Sequence, residues 1–243
     1  MDNNSSNRLV RLVTAALANH PEIDMHHYPI RVIYRDSGLI LEGEVENIAA
    51  KRCAAAVVRR IAYQMPVLDH LRVVPAQVEE DGALRDEVVR NLSQESAFND
   101  YLLCVTRNGV TERIREGHNG ERGWIEIEAA DGVVGLHGQV GSLTHRRLAD
   151  VLAWWSGGCE DVQNDLRVVP AERDNDGELA DAVRIVLEKD PLVHAEQLSV
   201  RARDGRVTLQ GSVASREEKR LAKLDAWYVL GVHEVQDRIQ THG

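Results

Sequence analysis

Asp204-Gly-Arg-Val-Thr-Leu-Gln-Gly211-Ser-Val213 reads as a strand entered from a tight turn, and the chain contains it three times. Asp131-Gly-Val-Val-Gly-Leu-His-Gly138-Gln-Val140 stands 73 positions earlier, and Asp36-Ser-Gly-Leu-Ile-Leu-Glu-Gly43-Glu-Val45 another 95 positions before that. In each copy alternate residues are apolar: Leu39, Leu41, Val45; Val134, Leu136, Val140; Val207, Leu209, Val213. That alternation marks a strand with one buried face, and the Asp-Gly or Asp-Ser-Gly ahead of it is a hairpin turn. Gly43, Gly138 and Gly211 share one inward position. Glycine weakens a strand unless another backbone must come close, so a helix is expected to cross there.

The repetition extends outward from the hairpin. Leu71-Arg-Val-Val-Pro-Ala76 returns letter for letter as Leu166-Arg-Val-Val-Pro-Ala171 and supplies a last strand. A helix precedes each hairpin: Leu9, Leu12, Val13, Ala16 and Leu17 recur at helical spacing, matched by Leu179, Ala182, Val183, Val186 and Leu187. The middle copy keeps Leu84, Val88 and Leu92 but places Glu87 and Asn91 on the same stripe. Asp81-Gly82 and Asp176-Gly177 are expected to cap these helices. A second helix follows the hairpin, with Asn47, Ser142 and Ser215 as N-caps, and Gly158 and Gly231 are expected to end it in copies two and three. Each unit is then helix, strand, strand, helix, strand. A single helix joins the last two strands, so the last should run parallel to the second.

Composition narrows the function. The 243 residues carry 29 Lys+Arg against 39 Asp+Glu, a net charge of -10, and 4% are aromatic. This excludes a generally basic nucleic-acid binder and a surface built on stacking rings. Three cysteines (Cys53, Cys104, Cys159), an odd number, far apart and with no C-x-x-C, fit a reducing compartment. No apolar run approaches the ~18 residues of a membrane span, so no transmembrane segment is expected. The stretch from Met1 to Asn7 lacks the basic start of a secretory signal. A cytoplasmic location is therefore expected, with the periplasm as the alternative.

The order of elements joins Asp-Gly-x-Val-x-Leu-x-Gly-x-Val to a Gly-Val-x-x-Val about twenty residues on, as at Gly211 and Gly231-Val-His-Glu-Val235. In this the chain resembles the BON domain family, named for osmotically inducible and nodulation proteins. The likeness spans nearly the whole chain and is best in copy three; copy one has Tyr63 where the others have Gly158 and Gly231. It implies an α+β fold of three tandem αββαβ units over 1–76, 77–171 and 172–243. Each would be a three-stranded sheet packed by two helices on one face. It also implies phospholipid association or partner binding in envelope and stress proteins, and no shared catalytic residues. Copy two departs from the pattern by an insertion near 103–123, where Asn108-Gly109 between two strand-like runs suggests an added hairpin. That hairpin either blocks a sheet edge or offers a ligand or partner loop.

No residues are assigned a catalytic, metal or cofactor role. G-x-S-x-G, H-E-x-x-H and P-loop patterns are absent. Gly135-Leu-His-Gly-Gln-Val-Gly141 lies within a strand rather than at a strand-to-helix turn. His26-His27 with Asp24 reads as a polar loop. One polar feature repeats: Lys51-Arg52, Arg146-Arg147 and Lys219-Arg220 occupy equivalent sites in the second helices, with Arg59 and Arg60 close by in the first copy. These are either a solvated helix face or contacts for lipid phosphate or an acidic partner. Residues 1–76 hold 9 basic and 8 acidic side chains, 77–171 hold 9 and 17, and 172–243 hold 11 and 14. Any anion contact is thus expected chiefly at Lys51, Arg52, Arg59 and Arg60. The expected function is non-catalytic binding, as a stress-related protein–protein interaction module. Peripheral binding of anionic phospholipid is the alternative, and no nucleic acid is expected.

Overall fold

A computed structural model describes residues 3–117 and 123–242. The Asn119-Gly120 part of the insertion and the first two residues lie outside them. The chain divides into two compact bodies, one ending at Val74 and the other beginning at Pro75.

The first body runs α1 (Asn3–Ala18), β1 (Arg31–Arg35), β2 (Gly38–Val45), α2 (Ile48–Ile61) and β3 (Val67–Val73). Its sheet has the order β1-β2-β3, with β1 antiparallel and β3 parallel to β2. Both helices lie on one face, where Val13, Leu17, Leu39, Leu41, Val45, Val58 and Leu71 are buried. Asn47 starts α2 by accepting the Ala50 N–H at 3.0 Å. Asp36 and Ser37 turn the hairpin with φ of 49° and 65°, the two positive values that a type I′ turn requires.

The second body holds two more units. One comprises α3 (Asp81–Gln94), β4 (Leu102–Arg107), β5 (Val110–Arg115), β6 (Trp124–Ala130), β7 (Val133–Val140), α4 (Leu143–Trp154) and β8 (Asp161–Val168). The other comprises α5 (Asp176–Lys189), β9 (Leu198–Arg203), β10 (Arg206–Val213), α6 (Arg216–Tyr228) and β11 (Glu234–Thr241). β8 and β11 run parallel to β7 and β10, as the single connecting helix demands. The caps are Ser142 on the His145 N–H and Ser215 on the Glu218 N–H, both at 3.1 Å.

In the middle unit the three-stranded sheet β6-β7-β8 is extended to five strands, in the order β5-β4-β6-β7-β8. β4 and β5 form the hairpin expected at Asn108-Gly109, and β4 pairs parallel to β6. Leu103 and Val105 on β4 are buried, so the insertion enlarges the core, while β5 is the exposed new edge. The Arg115 guanidinium donates to the Ser93 carbonyl at 3.1 Å and the Tyr101 carbonyl at 3.3 Å, fastening that edge.

Three expectations need correction. No helix crosses Gly43, Gly138 and Gly211. Their φ values are 133°, 135° and 148°, and an added Cβ would meet the carbonyls of Pro29, Trp124 and Gln197 at 2.7, 2.1 and 2.0 Å. The close neighbour is the adjoining antiparallel chain, and the backbone itself demands glycine. Gly158 and Gly231 do not end the helices, which stop at Trp154 and Tyr228; they take positive φ of 79° and 102° in the loops beyond. Asp81 and Asp176 do not cap helices either. They sit in the first turn and hold the hairpins: Asp81 accepts from Asp131 and Gly132 N–H at 3.0 Å, and Asp176 from Asp204 N–H at 2.8 Å. The cap positions belong to Glu80 and Asn175.

Candidate functional site

The two residues of each repeated basic pair behave differently. The first turns inward in all three units. The Lys51 ammonium, 8% exposed as a residue, donates to the Leu71 carbonyl at 2.5 Å and to Asp69 at 3.3 Å. Lys219 donates to the Ile239 carbonyl at 2.5 Å and pairs with Asp237 at 3.1 Å. Arg146 donates to the Asn164 carbonyl at 3.0 Å. The strand residue closes the loop each time: Asp69, Asn164 and Asp237 accept the N–H of Leu71, Leu166 and Ile239 at 3.1, 3.2 and 2.9 Å. The cation thus ties the second helix to the last strand, through its long apolar stem and polar tip. Sequence reasoning placed it on the solvent side. The missed signal was a polar residue at an inward strand position in every copy: Asp69, Asn164, Asp237.

The second residue of each pair has a different environment in each unit. Arg147 is 3% exposed. Its Nε donates to the Leu230 carbonyl at 2.9 Å and its Nη2 to Asp174 at 2.6 Å, so the helix of one repeat grips the linker and the final loop of the next. Around it α4 packs on α5 and α6, the Trp154 and Tyr228 rings lie 6.3 Å apart, and Lys189 pairs with Glu95 at 2.7 Å. Polar Glu87 and Asn91 on the α3 stripe serve the end of α4. Gly157 N–H donates to Glu87 at 2.8 Å, and Asn91 donates to Ser156 Oγ at 3.0 Å. Arg220 is exposed and pairs with Glu217 one turn earlier at 2.6 Å, which holds that carboxyl below its ordinary value. Arg52 is half-buried, while Arg59 and Arg60 are exposed in the last turn of α2, where cations suit the helix dipole.

With four of the six repeated helix cations (Lys51, Arg146, Arg147 and Lys219) engaged internally, the larger open surfaces are the sheet faces turned away from the helices. Alternation along each strand sends every second side chain there, and the three faces differ in chemistry. On the first sheet Ile33, Ile40 and Leu68 stand in register across all three strands, with Leu68 53% exposed. Beside them runs a row of Arg31, Glu42 and His70. On the second, Glu126, His137 and Asp165 are in register. Thr106 donates to Glu126 at 2.6 Å, and His137 Nε2 lies 3.3 Å from Glu128. On the third, Arg201, Thr208 and Gln236 form one row, Ser199, Gln210 and Arg238 the next, and Arg203, Arg206 and Glu234 a third.

Elsewhere the titratable groups are structural. Asp24 accepts from the His26 and His27 N–H groups at 3.0 Å and holds the His27 ring at 2.6 Å. These bonds, led by that from the His27 backbone, lower its pKa. The Cys159 thiol is pushed up by burial, with Asp161 and Asp150 nearby, away from the reactive thiolate form. His194 is raised by its hydrogen bond to Glu218, 2.8 Å away. Among the described residues no group of three or more His, Cys, Asp or Glu side chains is arranged to hold a metal ion, and no helix is long and apolar enough to cross a membrane.

Two solved structures of CdsD, a structural protein of the type III secretion system of Chlamydia trachomatis, are similar to the chain. The C-terminal domain is 13% identical, with 97% of this chain and 98% of that one covered and a TM-score of 0.26. A second structure of CdsD is 15% identical, with 96% and 92% covered and a TM-score of 0.25. A search of the curated proteins finds no match. The BON domain matches residues 5–75, 109–170 and 175–243, the second match beginning inside the added hairpin and leaving α3 outside it. These three matches take in most of the chain, one to each αββαβ unit, and the chain belongs to the BON domain family.

Proposed function

We propose that this BON chain is a non-catalytic interaction protein of the stress-protein type, working in the cytoplasm and binding protein partners through the open faces of its sheets. One observation carries the reading. The helix cations that repeat in every unit are largely engaged inside the protein, whereas each sheet turns one face away from its helices, and the three faces differ in chemistry. Surfaces of that kind bind by complementarity and need no reacting group. Three cysteines, all buried and far apart in the sequence, support a reducing compartment. The test is cross-linked capture of partners by the full chain and by an Ile33→Glu/Leu68→Glu variant, with folding checked by circular dichroism. Loss of specific partners is expected for the variant. Identical partner sets, or none with either protein, would overturn the reading.

A second reading rests on the end of α2. There Arg59 and Arg60 are exposed, and Tyr63 follows them at 78% exposure. Basic side chains beside an exposed ring suit an anionic lipid interface. At ~1 kcal/mol per basic residue near such a surface, two arginines support only weak, reversible binding. Flotation of the full chain with phosphatidylglycerol vesicles, beside an Arg59→Ala/Arg60→Ala variant, tests it. Salt-sensitive binding by the wild type alone is expected, and equal or absent binding removes lipid from the account.

A further inference from the structure

We infer that the open face of the third sheet is a docking surface for an extended acidic segment of a partner protein, an inference that rests on the protein-binding reading above. The outward side chains of β9, β10 and β11 are Ser199, Arg201 and Arg203; Arg206, Thr208, Gln210 and Ser212; and Glu234, Gln236, Arg238 and Gln240. None is apolar and none is aromatic. Four are arginines and one is an acid, although residues 172–243 as a whole hold more acids than bases. The acids have segregated to the other surfaces, leaving this face locally positive.

The arginines are not consumed by their neighbours. Arg206 pairs with Glu234 at 2.9 Å, and Arg203 lies 3.9 Å from the turn residue Asp204 with 90% of its side chain exposed. Arg201 and Arg238 are exposed and, among the described residues, have neither an ion pair nor a hydrogen bond to another side chain. They stand on opposite edge strands in adjacent rows, with Thr208 and Gln210 between them. A guanidinium presents a fork that matches a carboxylate, and the amides and hydroxyls around it can meet the peptide groups of an extended chain.

Chemistry and size select the occupant. Single-stranded nucleic acid is held by rings on which bases stack, and this face has none. A membrane interface asks for apolar or aromatic side chains to insert, and these too are missing. The longest strands here have eight residues. At ~3.3 Å per residue and ~4.8 Å between three strands, the face covers about 380 Å². A stable interface between folded partners buries roughly 800 Å² on each side, so this face alone is about half of what a second copy or a globular partner needs. It fits a linear segment.

The test uses the full chain and a fluorescein-labelled deca-glutamate peptide, read by fluorescence anisotropy. Deca-lysine, a single-stranded RNA oligonucleotide and phosphatidylglycerol vesicles serve as comparators. Deca-glutamate should bind at low salt and weaken as salt is raised. Arg201→Gln/Arg238→Gln should weaken it at least tenfold, while Arg113→Gln/Arg184→Gln leaves it within twofold. Both pairs are exposed, and unchanged thermal melts will show that folding is intact. The inference is overturned if deca-glutamate does not bind, if it binds both variants like the wild type, or if RNA or vesicles bind more tightly through Arg201 and Arg238. Loss of deca-glutamate binding alongside partner capture that still depends on Ile33 and Leu68 would refute this inference alone and leave the broader reading standing.

Discussion

Arg147 joins the second and third repeats into one body, and Arg147→Met is the change that exposes this. Methionine keeps the stem's apolar packing and removes only the guanidinium. The lost bonds are Nε to the Leu230 carbonyl at 2.9 Å and Nη2 to Asp174 at 2.6 Å. A hydrogen bond involving a charged group contributes about 1.5–3 kcal/mol. The Asp174 partner is 54% exposed, so that pair counts for no more than about 1 kcal/mol after solvent screening. Against this, Arg147 Nη1 is buried with no hydrogen-bond partner among the described residues, and removing it recovers part of the cost of burying a charge. The balance is about 2 kcal/mol of coupling, roughly a 30-fold change in an opening equilibrium. Hydrogen exchange followed by peptide mass spectrometry is the assay, because it separates local opening of α5 and α6 from global unfolding. Amides of α5 and α6 should exchange about 30-fold faster in the variant, while those of α2 in the first body do not change. The Lys189–Glu95 pair should keep the repeats in contact, so complete separation is not expected. Unchanged protection of α5 and α6 would show that Arg147 is a passenger at this interface.

Gly211→Ala forces a side chain into φ 148° with the Gln197 carbonyl 2.0 Å from its Cβ; it should cost at least about 2 kcal/mol, and a urea midpoint equal to the wild type's would refute the strand-contact account. Ser37 takes φ 65° where the equivalent turns have Gly132 and Gly205, so Ser37→Gly should stabilise the first body by about 0.5–1 kcal/mol, seen as a higher melting temperature. The Asp225 carboxyl, pushed up to about 8 by burial and by Asp190 alongside, is protonated more readily folded than unfolded, its ordinary value being 3.8. Its contribution to stability is therefore full below about pH 4 and fades as pH rises toward about 8. Asp225→Asn should flatten that fall and melt above the wild type at pH 9, and parallel melting-temperature profiles from pH 5 to 9 would count against it.

What the chain revealed in advance was everything set by local pattern. The turns at Asp131-Gly132 and Asp204-Gly205, the caps Asn47, Ser142 and Ser215, and the parallel last strand all follow from rules confined to a few neighbouring residues or one connection. The three glycines stand out by their shared inward position, but alternation reports which way a Cβ would point, not the sign of φ that forbids one. The inward turn of Lys51 and Lys219 escapes periodicity for a related reason. A lysine on the flank of a helix counts as solvent-facing by periodicity, yet its stem is long enough to reach a strand carbonyl beneath. Arg147 left no local trace, since its partners lie 83 and 27 positions along the chain and belong to the packing of one repeat on the next.

The two residues of the basic pair show how a repeat divides its positions between upkeep and use. The first cation answers to a strand within its own unit, so every copy has the same partners and the same geometry. The second has no shared partner: Arg147 reaches the following repeat, whereas Arg220 pairs with Glu217 in its own helix. The sheets obey the same division. Their inward rows repeat as Leu39-Leu41, Val134-Leu136 and Val207-Leu209, because the helices above need the same apolar floor. Their outward rows have diverged into an apolar strip, an acidic cluster around His137 and an arginine-bearing face. A side chain free of packing duties inside its unit can change without loss of the fold. Specificity in this chain should therefore reside in outward positions such as Leu68, Glu126 and Arg201, with Lys51, Arg146 and Lys219 serving the scaffold beneath them.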